Sequence, residues 1–145
     1  AELTFENNPL EFLTGQGAGT VATVGILAAI AVPAYHDYKV RAQVSEAIGA
    51  TGPYRRLVEQ YHAEQGTFPP ADVAAGANAQ LGTGAPAGAR IELAADNGRV
   101  TITFAEPASV SGKQVILAPQ AGDQGLQWSC DGGDVQAKYR PAHCR

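Results

Sequence analysis

The 145 residues suffice for one globular domain and an element that need not belong to it. A formal net charge of -4 supplies no summed positive field, which excludes binding to a phosphate backbone as the main task, and no specific nucleic-acid partner is expected. The 17 glycines and 9 prolines cluster outside the one long helical stretch, which predicts long loops.

Ala1 to Glu11 is acidic and carries Asn7, Asn8 and Pro9, so it reads as a short irregular lead-in. It opens without a cleavable secretory signal and the chain holds no methionine, so Ala1 is expected to mark a processed end or a cloning boundary. Phe12 to Tyr35 is uncharged and long enough to cross a hydrocarbon layer, for which about 20 residues rising about 1.5 Å each suffice. Thr14, Gly15, Gln16, Gly17 and Gly19 weaken that stretch, each glycine by about 1 kcal/mol relative to alanine, so it reads as a weak membrane anchor.

No turn signal separates this segment from the next, and one long helix is predicted through both. Beyond Pro33 the apolar positions Val40, Val44, Ala47, Ile48, Thr51, Tyr54, Val58 and Tyr61 fall three and four apart, on one helix face. Asp37, Lys39, Arg41, Glu46, Arg55, Arg56 and Glu59 occupy the other face. Gly52-Pro53 predicts a kink or local break, and Gly66 followed by Pro69 and Pro70 predicts a left-handed stop after Glu64 or Gln65.

Residues 66–88 show no sustained period and read as a loop with at most one helical turn around Asp72 to Ala75. From Arg90 the period becomes two. Arg90 to Leu93 and Arg99 to Phe104 are predicted to form a hairpin across Asp96-Asn97-Gly98, and Gln114 to Ala118 and Leu126 to Cys130 two further strands joined by Pro119 to Gly125. A sheet needs one apolar face covered, and the second half of the helix is the element that offers a matching stripe. The expected fold class is α+β, a long N-terminal helical spine packed on a four-stranded antiparallel sheet, with Trp128 in the core.

Cys130 and Cys144 lack the four-ligand spacing of a structural zinc site. In an exported protein such a pair most simply forms a disulfide that restrains the unfolded chain by about 3 kcal/mol. In a cytosolic one it would be a reduced, buried pair.

Residues 25–48, GILAAIAVPAYHDYKVRAQVSEAI, resemble almost position by position the N-terminal helix of the type IV pilins, the subunits of retractile bacterial surface filaments. Near the other end WSC, AKYRP and a closing CR are similar to the disulfide-closed C-terminal region of the same family. The resemblance implies the pilin αβ-roll: residues 1–33 as an atypical N-terminal segment with the apolar half of the spine, then a globular part of helix 34–65, connecting loop 66–88, sheet 89–130 and disulfide loop 130–144. It implies that Cys130 pairs with Cys144. It places Phe12 at the family's first mature residue, Gln16 at its buried glutamate, and Gly25 and Pro33 at the ends of a stretch, Ile26 to Val32, that is helical or kinked in an isolated subunit and extended in a fibre. Two departures stand out: Gln16 carries no charge to neutralise a neighbour's amino terminus, and Glu11 occupies the place of the glycine at a prepilin peptidase site.

The function so implied is that of a structural subunit that self-assembles into a surface filament for adhesion, twitching motility or DNA uptake. Its partners would be copies of itself, the pilus assembly machinery of the inner membrane, where an anchored pool awaits assembly, and host-cell glycans. The glycan contact would fall on the disulfide loop at Asp131, Lys138, Tyr139, Arg140 and Pro141. Two other readings are a pseudopilin of a type II secretion system, against which the C-terminal cysteine motif speaks, and a glycan-binding adhesin module. No enzyme and no cofactor are expected: His36, His62 and His143 are scattered, Gly15, Gly17 and Gly19 lack the preceding strand of a dinucleotide site, and Asp96-Asn97-Gly98 lacks the further oxygen ligands of a calcium loop. Lys138, Arg140 and Arg145 read as solvated surface charge, a local basic patch being the alternative.

Overall fold

The computed structural model describes residues 34–145. Phe12, Gln16, Gly25, Pro33, the apolar span and the stretch Ile26 to Val32 lie outside the described residues. The chain divides into two compact units, Ala1–Asp37 and Tyr38–Arg145, and the second holds the domain considered below. Among the described residues no helix is long and apolar enough to cross a membrane.

Helix α1 covers 34–49 and α2 Gly52–Gln65. The break expected at Gly52-Pro53 falls at Ala50 and Thr51, where Thr51 donates both its backbone N–H (3.2 Å) and its hydroxyl (2.6 Å) to the Ile48 carbonyl. An uninterrupted helix would drive the Pro53 ring against the carbonyl four residues back; at the start of a new helix the missing N–H is one that had no partner anyway. α2 stops at Gly66, whose φ of 74° is the left-handed turn expected there and whose N–H returns to the His62 carbonyl at 2.8 Å.

Residues 66–88 differ from expectation. They contain an eleven-residue helix, α3, Ala71–Leu81, where at most one turn around Asp72 to Ala75 was predicted. Ala74 and Ala77 are buried and Leu81 packs against the core, a spacing of three and four that Gly76 and Asn78 dilute. Small side chains carry too little hydrophobicity to mark a face, so the helix follows from alanine propensity and from the surface that receives it.

The sheet is an antiparallel meander of β1 (Ala89–Leu93), β2 (Val100–Phe104), β3 (Gln114–Gly122) and β4 (Gly125–Gly133), in that spatial order. The β1–β2 hairpin closes as expected through Asp96 and Gly98, both at positive φ, with the Asn97 Oδ1 accepting from the Arg99 N–H at 2.9 Å. β3 and β4 correct the sequence reading. Pro119 to Gly122 continues β3, Pro119 pairing with Trp128, so the turn is two residues and not the seven from Pro119 to Gly125. β2 pairs with β3 only as far as Leu117, so Pro119 interrupts no ladder on that side.

Alternating positions of the sheet, Ile91, Leu93, Val100, Ile102, Phe104, Val115 and Leu117, are buried in one cluster with Val40, Val44, Ala47, Ile48, Tyr54 and Val58 of the helices. The helix face is as expected except for Tyr61, which is half-buried at its end. Trp128 is not core. It is half-buried and donates its indole N–H to Glu59 Oε2 at 2.8 Å, because a tryptophan near the sheet margin keeps its donor satisfied where water and a carboxylate remain in reach.

Tyr54 is 1% exposed and its hydroxyl donates to the Ile91 carbonyl at 3.4 Å. Burial raises its pKa above the ordinary 10.0, and the Glu92 carboxylate adds to the rise. The folded phenol keeps its proton to higher pH than the unfolded one, so the associated stability is complete below pH 10.0 and is lost as pH climbs toward the folded value. Melting temperatures measured between about pH 8 and about pH 11 should therefore fall at the alkaline end, and Tyr54→Phe should abolish part of that fall. Parallel curves for the two proteins would refute it.

Candidate functional site

The feature with the most specific side-chain construction is the loop that β4 enters and the C-terminus closes. Cys130 in β4 and Cys144 in the last short 3-10 turn are bonded, with Cα atoms 4.8 Å apart and a sequence separation of 14. The link restrains the unfolded chain by about 3 kcal/mol. Intact mass should accordingly rise by about 2 Da on reduction under denaturing conditions, whereas two thiols in the untreated protein would disprove the bond.

Chain direction into the loop is set by Gly133, at a φ of 91° and so close to the Gln114 carbonyl that a Cβ would collide with it. The Asp134 and Val135 N–H groups donate to that same carbonyl, and Asp134 Oδ1 accepts from the Gln114 N–H at 2.7 Å. Val135 then turns inward and is buried.

Arg140 holds the loop from inside. It is 3% exposed; its Nε donates to the Val135 carbonyl and its Nη1 to the Cys130 carbonyl, each at 2.8 Å. One rigid guanidinium thereby ties the sequence before the loop's apex to the disulfide half-cystine, which a lysine's single ammonium could not match. Burial lowers its pKa below the ordinary arginine value, and the carboxylates of Asp131 and Asp134 act in the opposite direction. Arg145 Nε donates to the Arg140 carbonyl at 3.0 Å, and Arg41 of α1 donates from its Nε to the Lys138 carbonyl at 2.9 Å, fastening the loop to the helix.

The residues that the resemblance offers for glycan contact differ in exposure. Tyr139 and Arg140 are buried and serve the loop's own frame; Asp131 and Lys138 are exposed, and Pro141 is half-buried. The Lys138 ammonium lies 4.9 Å from the centre of the Tyr139 ring. Arg140, read with Lys138 and Arg145 as solvated surface charge, lies in the interior. The Val135 and Cys130 carbonyls inside the loop require a buried donor, a need that residue type alone does not show. Gln114, Asp134 and Val135 carry no mark in the sequence that would have announced their part.

Cys130, His143 and Cys144 stand as a group within 4.8 Å, yet the two sulfurs are spent on each other and cannot act as thiolate ligands. Two clefts among the described residues, one lined by Gln43, Glu46, Pro86 and Glu106, the other by Glu59, His62, Gln124 and Leu126, place carboxylates and amides together without a serine or cysteine nucleophile in their walls.

The sequence model of the family described as Pilin (bacterial filament) matches residues 40–145. Among curated relatives, the chain is 36% identical over 128 residues to the fimbrial protein EcpC of Eikenella corrodens, covering 86% of this chain and 83% of that protein. It is 30% identical over 148 residues to the type IV major pilin protein PilE of Neisseria gonorrhoeae, covering 86% of this chain and 87% of the other. To the type IV major fimbrial protein FimA of Dichelobacter nodosus it is 31% identical over 140 residues, with 86% and 88% covered.

Proposed function

The chain belongs to the pilin family and is a structural subunit of a type IV pilus, and from that premise we propose that the surface filament it builds serves adhesion, twitching motility or DNA uptake. The observation that carries the reading is the pairing of a helix-on-sheet core with a C-terminal loop locked by Cys130–Cys144 and Arg140. A subunit that bears tension in a fibre needs an exterior that resists local opening, and a cross-linked, internally hydrogen-bonded loop supplies one.

In this proposal copies of the chain are joined through the N-terminal residues that include Phe12, Gln16, Gly25 and Pro33. The inner-membrane assembly machinery draws subunits from an anchored pool, and host-cell glycans meet the exposed part of the disulfide loop at Asp131 and Lys138. Deleting the chain in its native host should remove filaments a few nanometres wide from electron micrographs; their persistence would end the proposal. The uncharged Gln16 predicts poor spontaneous assembly, because a dry core then lacks an anion for the neighbour's amino terminus. A chain beginning at Phe12 with a free amino group and carrying Gln16→Glu should sediment as fibres more readily than its Gln16 counterpart. Equal sedimentation would refute the placement of Phe12 and Gln16.

A further inference from the structure

We propose that the outer edge of the sheet is closed by side chains against strand pairing with a second copy of this chain, and that the Asn78 carboxamide is the principal closure. The inference rests on the reading as a filament subunit, since a filament holds copies side by side at concentrations where an open edge would pair.

β1 is an edge strand. Flanking it, the Gly88 carbonyl accepts from Ala105 at 2.8 Å and the Ala94 N–H donates to Arg99 at 2.9 Å, so residues 88 and 94 face β2. Antiparallel alternation then turns the N–H and C=O groups of Ala89, Ile91 and Leu93 outward, where a bare row of them would be a template for another strand.

Four of those six groups have partners. The Ala89 N–H donates to the Pro86 carbonyl at 3.1 Å, and the Ile91 carbonyl accepts from the Tyr54 hydroxyl at 3.4 Å. Leu93 donates to Asn78 Oδ1 at 2.7 Å and accepts from Asn78 Nδ2 at 3.1 Å. A primary carboxamide offers the same donor and acceptor as a peptide group, so Asn78 gives Leu93 what a neighbouring strand would give it. It then ends the ladder, because the next atoms belong to a helix. Asparagine is a poorer helix former than the alanines around it, so its place in α3 is explained by the strand it meets. At the opposite edge strand, β4, the Cys130 carbonyl is taken by Arg140.

The test uses the full chain in detergent micelles and compares the parent with Asn78→Ala and Asn78→Asp. Alanine keeps the helix and uncovers both Leu93 groups. Amide exchange at Leu93 should accelerate at least about tenfold, and thioflavin T fluorescence should rise with protein concentration, with a fibre-diffraction spacing near 4.7 Å. Aspartate also loses the donor to the Leu93 carbonyl, but it keeps an acceptor and places a charge on the edge, so its dye signal should stay at the parent level. The proposal is overturned if the alanine variant exchanges faster yet binds no more dye than the parent, or if the two variants bind dye alike. Should the alanine variant lose its cooperative melt, Asn78→Ser takes its place with the same outcomes required. Filaments read by sedimentation report on the pilus reading separately, so a parent that makes none would remove that premise without altering the dye comparison.

Discussion

Replacing Val44 by aspartate is expected to cost most of the stability of the domain, at least about 4 kcal/mol out of the 5–15 kcal/mol typical of a small domain. Val44 is 0% exposed, one turn from Val40 and Ile48 on the face that meets the sheet. Val44 belongs to a cluster of buried apolar side chains, so a carboxylate there would have to ionise among them or take up a proton, and either choice forfeits the packing of the valine. Ser45, one residue on and exposed, supplies the comparison: Ser45→Asp should leave the melting temperature within a few degrees of the parent. A Val44→Asp protein that melts like the parent would show that this face does not pack on the sheet.

Removing Arg140 is expected to cost about 3 kcal/mol, comparable to the disulfide itself, although neither effect should be independent of the other. Arg140→Ala leaves the carbonyls of Val135 and Cys130 inside the loop without a donor. Arg140→Lys should recover little, since one ammonium on a flexible stem does not span two carbonyls held apart by the loop. Because Cys130 belongs to both the cross-link and the guanidinium contact, a double-mutant cycle of Arg140→Ala with Cys144→Ser in urea should show coupling well above the roughly 0.5 kcal/mol of unconnected sites. Additive losses would mean that the two fastenings act on separate parts of the loop.

Several elements were legible before any coordinates because one local rule decided each. The stripe from Val40 to Val58, the left-handed stop at Gly66 and the Asp96-Asn97-Gly98 turn follow from side-chain period or from backbone freedom, and neighbours far in sequence do not overrule them. The resemblance extended this to the pairing of Cys130 with Cys144. Elements decided by remote contacts were not legible. α3 is held by small residues against a surface assembled elsewhere, and Pro119 continues β3 because β2 stops short of it. Trp128 packs against the expected core only in part, because Glu59, 69 residues away in sequence, holds its indole N–H near the surface.

The sequence by itself determined the family, the helix that carries the apolar stripe, the hairpin and the cysteine pair, since each depends on residue identity within a short window. Only the tertiary structure decided which polar groups face inward. Arg140 acquires its role from the Cys130 and Val135 carbonyls, and Asn78, in a stretch that reads as loop, from the outward groups of Leu93. Those backbone groups acquire a need for a partner only when folding withdraws them from water or ranges them along an open edge, and a linear chain records no such need.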